Sequence, residues 1–105
     1  MEIKYKDELL EVKYTFNSFK FMEELDFSEL ANLERTPFKI IGILETLLMG
    51  GLNHDRKVRI TIDTVSDIIE DTMDNGDISE LLGDLMVELE KSSFFKNLQK
   101  TQVKE

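Results

Sequence analysis

An apolar segment in the middle of the chain, residues 38–49, constrains the fold most, because Lys39 and Glu45 are its only charged side chains. Thr36-Pro37 precedes the segment and is typical of a helix start, since threonine can cap a helix and proline suits its first position. Gly50-Gly51 follows and predicts the helix end. A helix that is apolar on nearly all sides is predicted to lie at the centre of a core or in a subunit interface.

The N-terminal residues alternate between apolar and polar side chains, which indicates β-strands. One face of a strand is predicted to carry Leu10, Val12, Tyr14 and Phe16. Ile3 and Tyr5 form a shorter alternating run, and the polar residues 6–8 separate the two runs. We therefore predict a β-hairpin over about residues 2–16. Because an isolated hairpin is marginally stable in water, it must pack on helices or pair with another chain.

From Asn17 onward the apolar spacing becomes helical. A first stripe runs over residues 19–25, and Asp26 with Glu29 resembles a capping box that starts a second short helix. Residues 58–62 alternate briefly and are compatible with a third short strand.

Two further helices are predicted in the second half of the chain. Thr61 or Asp63 is expected to cap the first of them, and Asn75-Gly76 to end it. Asp77 then begins the last helix, whose apolar face consists of Ile78, Leu81, Leu82, Leu85, Met86 and Leu89. A separate face of this helix carries the acidic residues Asp77, Glu80, Asp84 and Glu88.

These elements predict an α+β fold that is mainly helical, with an N-terminal β-hairpin followed by about four α-helices. A chain of 105 residues suffices for one domain with a small core. We expect a single compact domain over residues 1–91 and a loosely ordered basic and aromatic tail over residues 92–105.

The charge distribution is strongly asymmetric. The chain has 22 acidic and 13 basic residues, and no basic residue lies between Asp63 and Glu90. This balance argues against nucleic-acid binding, because phosphates repel an acidic surface. Several acids, such as Asp74 and Glu90, lie near predicted helix C-termini, where they oppose the helix dipole. We infer that they keep a partner complex dissolved or engage a basic partner.

The sequence lacks the residue patterns of common catalytic sites. It has no cysteine, and its one histidine, His54, lies in a predicted turn. No nucleophile elbow, phosphate-binding loop or dinucleotide fingerprint is present. No apolar run is long enough to span a membrane. We therefore expect a protein that is not an enzyme, with no catalytic residues, cofactor or metal site and no membrane partner.

Residues 71–82 resemble a calcium-binding loop, with Asp71, Asn75 and Gly76 in suitable positions. Met73 and Leu82, however, occupy positions where oxygen ligands belong. The end of one helix and the start of the next explain the same residues, and we favour that interpretation over a calcium-responsive module.

Two groups of residues are candidates for partner binding. The first is apolar and lies in the tail among lysines: Phe94, Phe95 and Leu98. These side chains either anchor another protein or fold back onto the core. The second is the acidic face of the last helix, Asp77, Glu80, Asp84 and Glu88.

The chain resembles the tail assembly chaperones of long-tailed bacteriophages and of prophages of Gram-positive bacteria. The resembling runs are MEIKYKDELLEVKYTFNSFKFMEELDFSEL, PFKIIGILETLLMGGLNH and NGDISELLGDLMVELEKSSFFKNLQK. The family has no catalytic signature, so the resemblance assigns no site residue.

The resemblance implies a non-enzymatic protein of the host bacterial cytoplasm that is absent from the mature virion. Its implied partners are the tape measure protein, which it binds and solubilises, and the tail tube protein, whose subunits it helps to recruit. We also expect a homo-oligomer, because the hairpin has an open edge and the central helix is very apolar. The alternative is an acidic decoy or adaptor that binds a basic host protein.

Overall fold

Two strands and four helices form the part of the chain that the computed structural model describes, residues 1–23, 39–55, 57, 59–93 and 96–97. In chain order they are β1 (Glu2–Tyr5), β2 (Glu8–Glu11), α1 (Phe16–Lys20), α2 (Ile40–Leu52), α3 (Ile62–Asn75) and α4 (Ile78–Glu90). This confirms the predicted α+β fold with its N-terminal hairpin and mainly helical remainder. Three predictions from the sequence lie outside the described residues: the capping box at Asp26 and Glu29, the helix start at Thr36-Pro37, and the partner candidates Phe94, Phe95 and Leu98.

Strands β1 and β2 form an antiparallel hairpin, closed by the predicted polar turn at Lys6 and Asp7. The register pairs Ile3 with Leu10 and Lys4 with Leu9. Its inner face is half-buried against the core and carries Ile3, Tyr5 and Leu10. Its outer face is exposed and carries Glu2, Lys4, Leu9 and Glu11.

The chain beyond β2 departs from the predicted strand. Val12 and Tyr14 are buried, as their alternation predicts. The placement of Phe16 on the same strand face is wrong, because Phe16 is the first residue of α1 and its side chain is 65% exposed. The physical reason is a capping box, in which the Thr15 side chain accepts a hydrogen bond from the Ser18 amide and the Ser18 side chain accepts one from the Thr15 amide.

Helix α2 lies at the centre of the core, as its composition predicts. It packs against β2, α1, α3 and α4. Its buried apolar residues are Ile43, Leu44, Leu47, Leu48 and Leu52. Residues 12–15, which follow β2 and which we call the hairpin extension, contribute Val12 to this core. Helix α3 contributes Val65, and α4 contributes Leu85 and Leu89, and all four side chains are fully buried.

Gly50-Gly51 does not end this helix, which continues to Leu52, so the predicted stop is wrong. Both glycines are buried and allow close packing. A Cβ atom on Gly51 would lie 2.7 Å from Val12 Cγ1 and 3.1 Å from the Tyr14 hydroxyl oxygen. A Cβ atom on Gly50 would collide with the Met22 side chain. The glycines therefore let α1 and the hairpin extension approach the helix axis.

Helices α3 and α4 begin at the predicted type of cap. The Thr61 side chain accepts a hydrogen bond from the Thr64 amide, so Thr61 rather than Asp63 caps α3. The Asp77 carboxylate accepts one from the Ser79 amide at 2.8 Å and caps α4. Residues 59–61 are not in a strand and Ile62 is helical, so the third strand is wrong for this described segment.

The connection between α3 and α4 consists of Gly76 and Asp77. Asp71 and Asn75 belong to α3, where the Asn75 amide donates a hydrogen bond to Asp71 Oδ1 at 3.0 Å. The interpretation as a helix end followed by a helix start is therefore confirmed, and this geometry differs from the twelve-residue loop of a calcium site. Within the described part of the chain, no helix is long and apolar enough to cross a membrane.

Candidate functional site

The large apolar side chains that remain exposed lie outside the central helix. Among the described residues they are Leu9, Phe16, Phe21, Ile62, Met73 and Val87. None belongs to α2, whose large apolar residues are buried or half-buried. Among the described residues, the exposed apolar side chains that a partner could contact therefore belong to the hairpin, to α1 and the residue after it, and to α3 and α4.

Leu9 and Phe16 are the two most exposed of these side chains, and we refer to the two together as the N-terminal apolar surface. Leu9 lies on the outer face of the hairpin together with Glu11, and its side chain is 67% exposed. Glu11 and Phe16 line the same shallow depression, beside His54. Lys20 Nζ lies 5.6 Å from the centre of the Phe16 ring. The surface thus presents apolar side chains among charges of both signs.

Four hydrogen bonds fix residues 13–17, the segment that carries Phe16, to α2 and to the two residues that follow it. The Lys13 amide donates to the Gly51 carbonyl at 3.1 Å, and the Thr15 hydroxyl donates to the His54 carbonyl at 2.7 Å. The Tyr14 hydroxyl donates to the Leu47 carbonyl at 2.8 Å, and the Asn17 amide donates to the Asn53 carbonyl at 2.7 Å. Because the last four carbonyls of a helix lack helical partners, the bond from Lys13 to the Gly51 carbonyl also completes the helix end.

Asn53 connects the same helix end to the segment that leads into α3. Its side chain is buried. Its amide nitrogen donates to the carbonyls of Met49 at 2.8 Å and Ile60 at 3.0 Å. Its amide oxygen accepts a hydrogen bond from the Ile60 amide at 2.7 Å. The Asn53 side chain thus bonds both backbone groups of Ile60, as a neighbouring strand would, and holds this residue against the core.

Two titratable groups near this surface have shifted pKa values. Burial, and secondarily the charge of Glu88, raises the pKa of the Tyr14 hydroxyl above its ordinary value. The hydrogen bond and the positive charge of Lys13, whose Nζ lies 3.1 Å from Glu11 Oε1, lower the pKa of the exposed Glu11 carboxyl. The hydroxyl of Tyr14 therefore stays protonated and keeps donating to Leu47.

The acidic face of α4 divides into two parts. Asp77, Glu80 and Asp84 are exposed, as the sequence predicts. Glu88 is half-buried, and its Oε1 accepts a hydrogen bond from the N-terminal ammonium of Met1 at 3.0 Å. Its carboxylate thus ties the start of the hairpin to α4. The other three carboxylates form what we call the α4 acidic surface.

Helix α3 carries further exposed acids. Asp67, Glu70, Asp71 and Asp74 line a shallow depression together with Tyr5 and Lys6. The Tyr5 hydroxyl donates a hydrogen bond to Asp67 Oδ2 at 3.0 Å. Within the described ranges, no group of three or more histidine, cysteine, aspartate or glutamate side chains is arranged to hold a metal ion.

The candidates from the sequence and from the structure overlap only in part. The exposure of Asp77, Glu80 and Asp84 agrees with the acidic candidate, whereas Phe94, Phe95 and Leu98 lie outside the described residues. Sequence reasoning missed Leu9 and Phe16 as surface residues. A signal for Leu9 was available, because it is an apolar residue on the otherwise charged face of an alternating strand.

Comparison of the chain with protein-family models, with curated proteins and with solved structures finds no match. The described residues thus include exposed apolar side chains in the N-terminal part of the chain and exposed carboxylates on α3 and α4.

Proposed function

We propose that this protein is a phage tail assembly chaperone that binds and solubilises the tape measure protein and helps to recruit tail tube subunits. The observation that carries the proposal is the N-terminal apolar surface, where Leu9 and Phe16 stay exposed although the domain has a well-formed core. The sequence resemblance to that family supports the same conclusion.

The apolar surface supplies the energy for binding a client. Burying a leucine or phenylalanine side chain contributes about 1.5–3 kcal/mol relative to leaving it in water. Leu9 and Phe16 are both more than half exposed, so contact with a client removes new apolar area from water. Because the hydrogen bonds of residues 13–17 fix the backbone around Phe16, little backbone entropy is lost there on binding.

The acidic helices supply solubility. Asp77, Glu80 and Asp84 are exposed, and the whole chain has a formal charge of −9. A complex that carries this charge repels its own copies and so resists aggregation. Glu80 and Asp84 are four residues apart on one helix, an arrangement that costs about 0.2–0.5 kcal/mol and therefore calls for a reason other than helix stability.

The proposal includes the cellular setting that the resemblance implies. The chaperone acts in the host bacterial cytoplasm, forms homo-oligomers, and leaves before the virion is complete. Its partners are two proteins, the tape measure protein and the tail tube protein.

Co-expression tests the proposal. A tape measure protein from a long-tailed phage is produced with and without the chain, and its soluble fraction is measured. We expect the chain to move it from the insoluble to the soluble fraction, and the double variant Leu9→Ser, Phe16→Ser to lose most of this effect. The matched control is Met73→Ser, Val87→Ser, which removes exposed apolar side chains from α3 and α4. An unchanged soluble fraction with the native chain contradicts the proposal.

A second candidate, an acidic decoy or adaptor for a basic host protein, is favoured by one observation. In the described part of the chain, Glu80 and Asp84 are exposed and have no ion-pair partner. The variant Glu80→Gln, Asp84→Asn separates the two functions. Loss of partner binding in this variant, with steep dependence on salt and no effect of Leu9→Ser, Phe16→Ser, supports the decoy instead of the chaperone.

A further inference from the structure

The free edge of the hairpin is β1, which pairs only with β2 in the described part of the chain. The Val12 amide donates to the Met1 carbonyl at 2.8 Å, so residues 1 and 12 form a hydrogen-bonded pair of the ladder. Hydrogen-bonded and non-hydrogen-bonded pairs alternate along an antiparallel ladder. The amides and carbonyls of Glu2 and Lys4 therefore point away from β2, out of the open edge.

The other edge of the hairpin is less accessible. β2 packs against α2, and the amide of Lys13, which follows β2, donates to the Gly51 carbonyl. By contrast, Glu2 and Lys4 are exposed, and no hydrogen bond of their backbone groups to another described residue completes the outer side of β1. An unpaired strand edge of this kind is a template for another strand.

We propose that β1 pairs with β1 of a second copy of this chain, antiparallel and centred on Ile3, so that the two hairpins form one four-stranded sheet. This inference deepens the homo-oligomer of the proposed function by naming the contact between copies, and it is argued from the strand edge alone. In this register Glu2 of each copy lies opposite Lys4 of the other. The outward-pointing backbone groups of Glu2 and Lys4 then form hydrogen-bonded pairs across the two-fold axis.

Charge selects this register among the alternatives. A pairing centred on Glu2 places two glutamates opposite each other, and a pairing centred on Lys4 places two lysines opposite each other. Like charges directly across a ladder are destabilising, whereas opposite charges stabilise it. Within one hairpin Glu2 already lies opposite Glu11. A lysine from the second copy therefore compensates a repulsion that the isolated hairpin contains.

The apolar side of the strand is consistent with the same register. Ile3 is half-buried on the inner face and is packed against the core. Centring the pair on Ile3 places the two isoleucines side by side on the inner face of the enlarged sheet. Since β1 has four residues, the contact is short, and we expect a weak and reversible dimer.

Charge reversal tests the pairing. Glu2→Lys and Lys4→Glu each create two like-charge pairs by symmetry, so each single variant is expected to raise the dimer dissociation constant by roughly 10- to 30-fold. The double variant Glu2→Lys, Lys4→Glu restores opposite charges and is expected to dimerise within roughly threefold of the native chain. Glu8→Lys, an exposed β2 residue away from the β1 edge, is the matched control for net charge. Sedimentation velocity is measured over roughly 10 μM to 1 mM, where weak complexes are populated.

A cysteine experiment tests the register. The chain contains no cysteine, so an introduced residue can only be linked to its copy. In the proposed register the two Ile3 residues form a non-hydrogen-bonded pair with Cα atoms about 4.5 Å apart, which suits a disulfide. Under mild oxidation Ile3→Cys is expected to give a covalent dimer, and the exposed Leu9→Cys to give much less. Circular dichroism verifies that each variant is folded.

Each outcome of these experiments either supports or contradicts the proposed pairing. Dimerisation that is lost in both single charge variants and recovered in the double variant supports the pairing. A monomer over the whole concentration range overturns it, as does a dimer that none of these charge variants affects. Equal cross-linking of Ile3→Cys and Leu9→Cys contradicts the register. The experiments use the chain alone, so a monomer contradicts the homo-oligomer of the proposed function but leaves client binding to the co-expression test.

Discussion

The close packing of α2 against the hairpin extension predicts that Gly51→Ala destabilises the protein, although alanine favours helices. In most helices this substitution stabilises by up to about 1 kcal/mol. In this chain the new Cβ would lie 2.7 Å from Val12 Cγ1 and 3.1–3.2 Å from the Tyr14 hydroxyl oxygen and ring carbon Cζ. Val12 is fully buried, so it cannot move aside without disturbing the core.

The magnitude follows from two opposing contributions. Overpacking a core by one methyl group costs about 1–3 kcal/mol, while the helix-forming tendency of alanine returns up to about 1 kcal/mol. The net expectation is a loss of about 0.5–2 kcal/mol for Gly51→Ala. Gly42 lies in the same helix, and a Cβ there would have no neighbour within 4 Å. Gly42→Ala is therefore expected to stabilise by about 0.5–1 kcal/mol.

Urea denaturation followed by circular dichroism measures both variants. The difference between them, about 1–3 kcal/mol, isolates the steric cost, because the chemical change and the helix are the same. A double variant with Val12→Ala should recover part of the loss through the space it creates, so the two effects should not be additive. If Gly51→Ala and Gly42→Ala stabilise equally, the hairpin extension does not pack against α2 as described.

The remaining predictions concern single side chains. Asn53→Leu should cost about 2–4 kcal/mol in urea denaturation, because it leaves the backbone groups of Ile60 without the side chain that bonds both. Tyr14→Phe should cost about 1 kcal/mol at neutral pH. Because the pKa of Tyr14 is raised in the folded state, its stabilising effect is complete below the unfolded pKa of about 10 and falls above it by up to about 1.4 kcal/mol per pH unit. Denaturation from about pH 8 to pH 11 should therefore show a flatter alkaline loss for Tyr14→Phe, and an identical slope contradicts the assignment. Lys6→Gly should raise the unfolding free energy by about 0.5–1 kcal/mol, since Lys6 has a φ of 54°, and Lys6→Ala, which keeps a Cβ, should not.

Local signals in the sequence suffice to predict the starts of α3 and α4. Thr61 and Asp77 were recognisable as caps, because a cap depends on residues two or three positions away. The apolar face of α4 follows from periodicity, and its members Leu85 and Leu89 are fully buried. These features need no knowledge of the tertiary structure.

The wrong predictions arose where one residue type serves two purposes. Glycine can end a helix or permit close packing, and at Gly51 the decision depends on Val12, which is distant in the sequence. Phe16 continues the strand alternation but follows a threonine that caps a helix, and the cap prevailed. Both outcomes depend on which of two local preferences the tertiary structure supports.

The surface was harder to predict than the fold. Glu88 shares a face with Asp84 in the sequence pattern, yet its carboxylate contacts Met1, 87 residues away. The exposure of Leu9 depends on which face of the hairpin meets the core. Charge patterning alone therefore identified the acidic surface but not the apolar one.

The most direct test of the chaperone account is an aggregation assay with purified proteins. A denatured tape measure protein is diluted into buffer with increasing amounts of the chain, and light scattering is recorded. The account predicts that scattering falls with the molar ratio of the native chain, and that the variant Leu9→Ser, Phe16→Ser fails to suppress it while remaining folded. Scattering that the native chain leaves unchanged, or that this variant suppresses equally well, contradicts the claim that the N-terminal apolar surface binds the client.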